Sequence, residues 1–183
     1  MVRADAQRNA ASLLDAAASA FVASGVNAPV RDIAARAGVG VATIYRHYPT
    51  RADLIVAVYR HQIDACAAAG PELLAAGPTA YDALVAWIDR FVDFLVTKHG
   101  LAEAFHSDDA GFQTLHARFL EVLLPVLEQL LSAARDAKEI RAGVDAYELM
   151  RAVGNLCVGS GVDRRYDARR MVAVLLDGLA PRS

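Results

Sequence analysis

The chain has 183 residues, 55% hydrophobic and 22% charged, with 12 Gly, 6 Pro and 2 Cys. That length suits one domain or two small ones, and the abundance of Ala and Leu favours helix. The longest uncharged stretch, Ala16 to Val30, runs 15 residues and is broken by Ser19, Ser24, Gly25, Asn27 and Pro29, too short to span a bilayer. No alternating β-branched run suggests a strand, so the expected class is all-α. Arg3, Asp5, Arg8 and Asp15 leave no clean apolar segment at the N-terminus, so no secretory leader and a cytoplasmic location are expected. The net charge of −2 hides an asymmetry. Residues 1–60 hold 7 Lys and Arg against 4 Asp and Glu, and the remainder holds 12 against 17. A basic head on an acidic body fits a nucleic-acid-binding module joined to one with another task.

The first helix is expected over Asp5 to Ala23, with Leu14, Ala17, Ala18, Phe21 and Val22 as its apolar stripe. Phe21 is the expected centre of a small core with Ile33, Val39, Ile44 and Leu54. Gly25 ends that helix. Val30 to Ala37 gives a second helix, stopped by Gly38, the residue best able to adopt a left-handed conformation. Gly40 opens a third, Val41 to His47, with Val39 pinning the turn. Two short helices around a tight turn are a helix-turn-helix, whose second helix fits the DNA major groove. Its apolar contacts are Val41 and Ile44. Thr43, Tyr45, Arg46, His47 and Tyr48 bring hydroxyl, phenol, guanidinium and imidazole groups suited to phosphates and base edges. A solvated helix with aromatic packing accounts for the same residues, and short motifs of this kind give false positives.

The stretch AGVGVATIYRHYPTRADLI carries a more specific pattern. It resembles the signature of the TetR/AcrR family of bacterial transcriptional regulators, and the likeness extends from about Asp5 to Tyr59. The resemblance implies a three-helix DNA-binding head over 1–50. Beyond it, 51–183 would form an antiparallel helical bundle for effector binding and dimerisation, about nine helices in all. It also implies that Thr43, Tyr45, His47 and Tyr48 face DNA and that Arg51 stands where the family has a phosphate-binding Lys. Arg46, Val41 and Ala42 are candidates for base contact. Gly40 replaces the usual Ser cap, at a cost of about a few tenths of a kcal/mol. Ala28-Pro29 replaces a Thr or Ser that touches phosphate, and Arg31 or backbone N–H groups are the candidate substitutes. Pro is tolerated at a helix start.

Thr50 and Asp53 have the spacing of a capping box, so a fourth helix should start at Arg51 and reach about Ala69. A helix that spans two domains is a lever along which a signal can travel. Gly70-Pro71 and Gly77-Pro78 both read as breaks. Thr79 to Lys98 is the fifth helix, and WIDRFVDFLVTKHGLAEAF resembles the C-terminal domain of the SbtR-like subgroup. Leu101 to His106 should be a short sixth helix. Ala110 to Lys138 forms a seventh, kinked at Pro125 or split at Leu124. Asp145 and Asp167 cap the last two, Ala146 to Val158 and Ala168 to Leu179.

Trp87, Phe91, Phe94, Phe105, Phe112, His116 and Phe119 could line a cavity for an apolar or amphipathic small-molecule effector, although a packed core suits each residue equally. Leu149, Val153, Leu156, Met171, Val174 and Leu175 are the candidate dimer interface, since helix-turn-helix readers usually bind paired half-sites as symmetric dimers. Cys66 and Cys157 read as buried reduced thiols. His99, His106 and His116 lack metal-ligand spacing, so neither a metal nor a cofactor is expected. No nucleophile, base and orienter assemble, so an enzyme is not expected. The sequence points to a homodimeric, ligand-responsive repressor acting on a near-palindromic operator. The alternatives are a regulator without an effector and a small-molecule-binding module that does not use its helix-turn-helix.

Overall fold

The structure is a computed structural model that describes residues 2–100, 110–141, 143–158 and 165–181, with side chains described from residue 9 and not for 96–100 or 110–116. It contains eight helices among these residues and no strand. They are α1 (Val2–Ser24), α2 (Val30–Ala37), α3 (Val41–His47), α4 (Arg51–Ala76), α5 (Ala80–Gly100), α6 (Ala110–Asp136), α7 (Ala146–Cys157) and α8 (Ala168–Asp177). The expected helix at Leu101 to His106 lies outside the described residues. The chain forms two compact units whose division at Gln62/Ile63 falls within α4.

In the first unit α1 packs on α2, and α2 on α3. Phe21, Ile33, Ile44 and Leu54 are all buried, as the sequence suggests, while Val39 is half-buried. The α1 stripe is rotated from its expected position. Leu13, Ala17, Ala20 and Phe21 are buried, whereas Leu14 is half-buried and Val22 is 51% exposed. Alanines on both flanks make the phase of that stripe ambiguous, and the larger side chains follow the core. His61 of α4 bonds Asp15 of α1 through Nε2 at 2.9 Å.

The second unit shows why two break signals behave differently. α4 ends before Gly77-Pro78 but runs straight through Gly70-Pro71. Gly70 is buried, and a Cβ there would lie 2.3 Å from Val126 Cγ1 of α6 and 3.7 Å from the Trp87 ring of α5. Its role is therefore a close helix crossing, not a turn. Pro125 likewise sits within one continuous α6. The starts of α5, α7 and α8 are capped by side chains. Thr79 Oγ1 accepts from Asp82 N at 2.9 Å, Asp145 Oδ1 from Glu148 N at 2.9 Å, and Asp167 Oδ1 from Arg170 N at 3.0 Å. Each satisfies one otherwise unpaired donor of a first turn.

Gly70→Ala is a diagnostic substitution. In an open helix it would stabilise by about 1 kcal/mol. Here the added methyl meets a stiff β-branched side chain, and the expected result is a loss of about 1–3 kcal/mol in chemical denaturation. Val126→Ala in the same chain should recover part of that loss in a double-mutant cycle.

Candidate DNA-reading surface

The turn between α2 and α3 is set by Gly38, which has φ 66° and ψ 27°. Its N–H donates to Ala35 O at 3.3 Å, and the next N–H, of Val39, donates to Ala34 O at 3.0 Å. The second bond closes the six-residue loop of a Schellman stop, and a residue without Cβ adopts it at least cost. Gly40 is extended, and its carbonyl accepts from Thr43 N at 2.9 Å and Ile44 N at 3.4 Å. Neither Pro29 before α2 nor Gly40 before α3 contributes a side-chain cap. A seven-residue helix without a cap does not hold by itself. Ile44, 1% exposed, is the one fully buried side chain of α3 and fixes it to the head core.

That single anchor leaves the rest of α3 outward. Val41, Ala42, Tyr45, Arg46 and His47 are exposed, and Thr43 and Tyr48 are half-buried. Val41, expected as a second apolar contact, is 39% exposed and belongs to the outer face with Tyr45, which is 50% exposed. Arg46 and His47 lie in the last turn, where positive charge complements the helix dipole. Tyr48 ends the helix with its N–H on Ile44 O at 2.8 Å. Partial burial raises the Tyr48 phenol above its usual range, so it keeps its proton and can donate. Arg31 is exposed on α2 and pairs with Asp32 at 3.4 Å.

The start of α4 adjoins this face. Thr50 N–H and Thr50 Oγ1 both donate to Asp53 Oδ2, at 3.0 and 2.7 Å, while Asp53 N–H donates to Thr50 Oγ1 at 3.1 Å. This reciprocal box is the one that the spacing predicts. The Thr50 hydroxyl and N–H hold the Asp53 carboxyl below its ordinary value. Arg51 is less legible from sequence. Its Nη2 donates to the carbonyl of Ala28, tying the start of α4 to the residue before Pro29. With Val30, Ile44, Tyr45, Tyr48, Thr50 and Leu54 it surrounds a recess of about 220 Å³.

The other candidate residues lie in the second unit. Trp87, Phe91, Phe94 and Phe119 are buried and stacked, with centroid distances of 5.5 Å for Trp87–Phe91 and 5.7 Å for Phe94–Phe119. Trp87 Nε1 donates to Cys66 O at 2.9 Å. The side chains of Phe105, Phe112 and His116 lie outside the described residues. Cys66 and Cys157 are free and buried. Burial pushes the Cys66 thiol up to about 12, and that of Cys157 in the same direction. Of the six candidate interface residues, Leu149 and Val153 are buried within the chain's own core, Leu156 and Leu175 are half-buried, and Met171 and Val174 are 40% and 56% exposed. Sequence reasoning missed Tyr147, which is exposed on α7 one turn from Arg151, and Val158, exposed just after the helix ends. The i, i+4 spacing of Tyr147 and Arg151 is the signal that places those two on one face.

Residues 13–58 match the model of the bacterial regulatory proteins of the tetR family, and residues 79–181 match that of the SbtR-like transcriptional regulator C-terminal domain. The chain belongs to the TetR family of transcriptional regulators. It is similar to the TetR transcriptional regulator SCO0520 from Streptomyces coelicolor, whose crystal structure superposes with a TM-score of 0.82 at 34% identity, covering 94% of this chain and 98% of that one. It is 26% identical to the transcriptional repressor KstR2 of Rhodococcus jostii, over 92% of this chain and 89% of that protein. It is 45% identical to the repressor LfrR of Mycolicibacterium smegmatis over 58 residues, 32% of this chain and 30% of LfrR. This TetR-family chain is thus a DNA-binding transcriptional regulator, and its relatives are regulators, not enzymes. No helix of the TetR-family regulator is long and apolar enough to cross a membrane among the described residues.

The capping box gives two expected outcomes. Thr50→Val keeps the shape of the side chain and removes the hydroxyl, and should cost about 1 kcal/mol in thermal or denaturant unfolding. The Asp53 contribution is complete above the carboxyl's unfolded value and is lost as pH falls through its lower folded value. Asp53→Asn should therefore flatten the acid limb of the stability profile and leave its neutral limb the same shape.

Proposed function

We propose that the protein is a homodimeric, ligand-responsive repressor that places two α3 helices in successive major grooves of a near-palindromic operator. The observation that carries this reading is the single-anchor geometry of α3. Ile44 is committed to the core, and the neighbouring side chains are free to meet DNA. Thr43, Tyr45, His47, Tyr48 and Arg51 position the protein on phosphates. Arg46 contacts base edges, with Val41 and Ala42 against thymine methyls. Arg31 and the uncapped N–H groups at the start of α2 stand in for the phosphate-binding hydroxyl that Ala28-Pro29 does not supply. DNA reading is assigned to 1–50 and effector binding and dimerisation to 51–183. The protein acts in the cytoplasm.

Two further features support the assembly and its control. Tyr147 of α7, Val158 just beyond it, and Met171 and Val174 of α8 are apolar side chains left exposed among the described residues, suited to a second copy. The stacked rings of Trp87, Phe91, Phe94 and Phe119 support a wall against which an apolar or amphipathic effector binds; Phe105, Phe112 and His116, the other candidates from sequence, lie outside the described side chains. An effector that favours the state unable to span the operator by about 2.7 kcal/mol weakens DNA binding about a hundredfold.

The test is fluorescence anisotropy on DNA from the protein's own gene region, across a salt series. Affinity for one near-palindrome that falls steeply with salt is expected, and absence of salt-dependent binding to any DNA would exclude the reading. Tyr45→Ala should weaken binding to all sequences alike, while Arg46→Ala should relax preference at one operator position and cost about 1–3 kcal/mol there. Val174→Asp should shift the protein toward monomer in sedimentation and lower operator affinity with it.

A further inference from the structure

We propose that the groove between α5 and α8 binds a small amphipathic cation, an alkylammonium whose chain lies on the groove floor and whose head sits between Asp82 and Asp177. This goes beyond the regulator reading and concerns a place separate from the aromatic stack. The groove encloses about 290 Å³, near the lower bound of small-ligand sites. Val85, Ile88 and Val92 of α5 and Val172 and Leu176 of α8 form its apolar floor.

Its two ends differ in charge. At one end Arg169 bonds both Asp89 and Asp93 through its two terminal nitrogens. Burial opposes the charge on Arg169, but the bonds and charges of Asp93 and Asp89 outweigh it and keep the guanidinium firmly protonated. At the other end stand Tyr81, Asp82 and Asp177. Burial raises the Tyr81 phenol, and the charges of Asp177 and Asp82, which line the same end of the groove, raise it further. A third carboxylate, of Glu139, accepts from Tyr81 N at 2.7 Å. Asp82 accepts from the Thr79 hydroxyl at 2.7 Å. The Asp177 carboxylate makes no ion pair among the described residues. It is the last residue of α8, and that helix has no basic residue in its final turn. The negative end of the helix dipole therefore adds to the acidic charge. Arg141 reaches this region through its backbone N–H, 2.9 Å from Leu179 O, and makes no ion pair there among the described residues. The result is an apolar trough with one guanidinium shared by two carboxylates at one end and, at the other, carboxylates that form no ion pair among the described residues.

These features select one chemistry. Asp82 and Asp89 are two helical turns apart, about 10 Å along α5, a span that a medium-length alkyl chain covers. A carboxylate ligand would face Asp82 and Asp177 while the groove's one guanidinium is already held twice. A second copy of the chain meets a different side of α8. At about 100° per residue, Arg169, Val172, Ala173 and Leu176 lie opposite Met171 and Val174, so the groove stays open when that outer face is covered.

The test uses the full-length protein and three probes that share one chain: octylammonium, octanol and octanoate, titrated by isothermal calorimetry. Octylammonium should bind at least about tenfold tighter than either of the others. Asp177→Asn should remove most of that preference and leave octanol unchanged. Ala173→Phe, which fills the groove from an exposed position, should abolish octylammonium binding. Asp82→Asn serves as the second charge variant, with a melting curve to register its weaker bond from the Thr79 hydroxyl. No octylammonium binding, equal affinity for the three probes, a preference for octanoate, or binding unaffected by Ala173→Phe would each overturn the proposal. Salt-dependent DNA binding is measured on the same preparations, so failure of the regulator reading is seen separately from failure of the groove.

Discussion

The placement of α3 depends on the burial of Ile44. α3 is seven residues long, begins at a glycine and has no side-chain cap. Local hydrogen bonding cannot hold such a segment in water, so its orientation is set by one side chain in a core shared with Phe21, Ile33 and Leu54. The constraint has a useful corollary. Because one residue supplies the fully buried attachment, the exposed positions Val41, Ala42, Tyr45, Arg46 and His47 are left with side chains outside the core. Gly38 completes the arrangement by turning the chain between α2 and α3 in a single left-handed step.

Much of this is legible in the sequence because its causes are local. A Gly after an apolar stripe, a Thr three residues before an Asp, and an Asp before Ala146 and Ala168 each act within one turn of backbone. The structure contains the corresponding stop and caps. Where sequence and structure differ, the causes are distant. Gly70-Pro71 has the local form of a break, yet Gly70 is needed by Val126, a residue 56 positions later. Arg51 reads as a cation at a helix start, but its guanidinium is also engaged by the Ala28 carbonyl in the preceding loop. The α1 stripe is turned from its expected phase because alanine lets either neighbouring face pass as apolar.

The two last helices show the limit of periodicity in another form. α7 and α8 are apolar on more than one side, and a hydrophobic pattern does not say which side belongs to the chain's own core. Leu149 and Val153 face inward, while Tyr147, Met171 and Val174 face outward. Only the partition of burial separates the two sets. α8 also presents a third side, where Arg169 meets Asp89 and Asp93 of α5. The acidic partners stand one helical turn apart on α5, which a charge pattern reveals, but their basic partner is 76 residues beyond Asp93.

Trp87 has a consequence of a different kind. It is the chain's single tryptophan, fully buried, with its indole N–H on Cys66 O and its ring stacked on Phe91. Indole emission is sensitive to local polarity, and here all of it originates at one dry, hydrogen-bonded position in the helical body. The native protein should therefore emit as one blue-shifted population with little collisional quenching by iodide. Any event that loosens the ring stack will move the spectrum, which gives the protein an intrinsic optical reporter of its own interior.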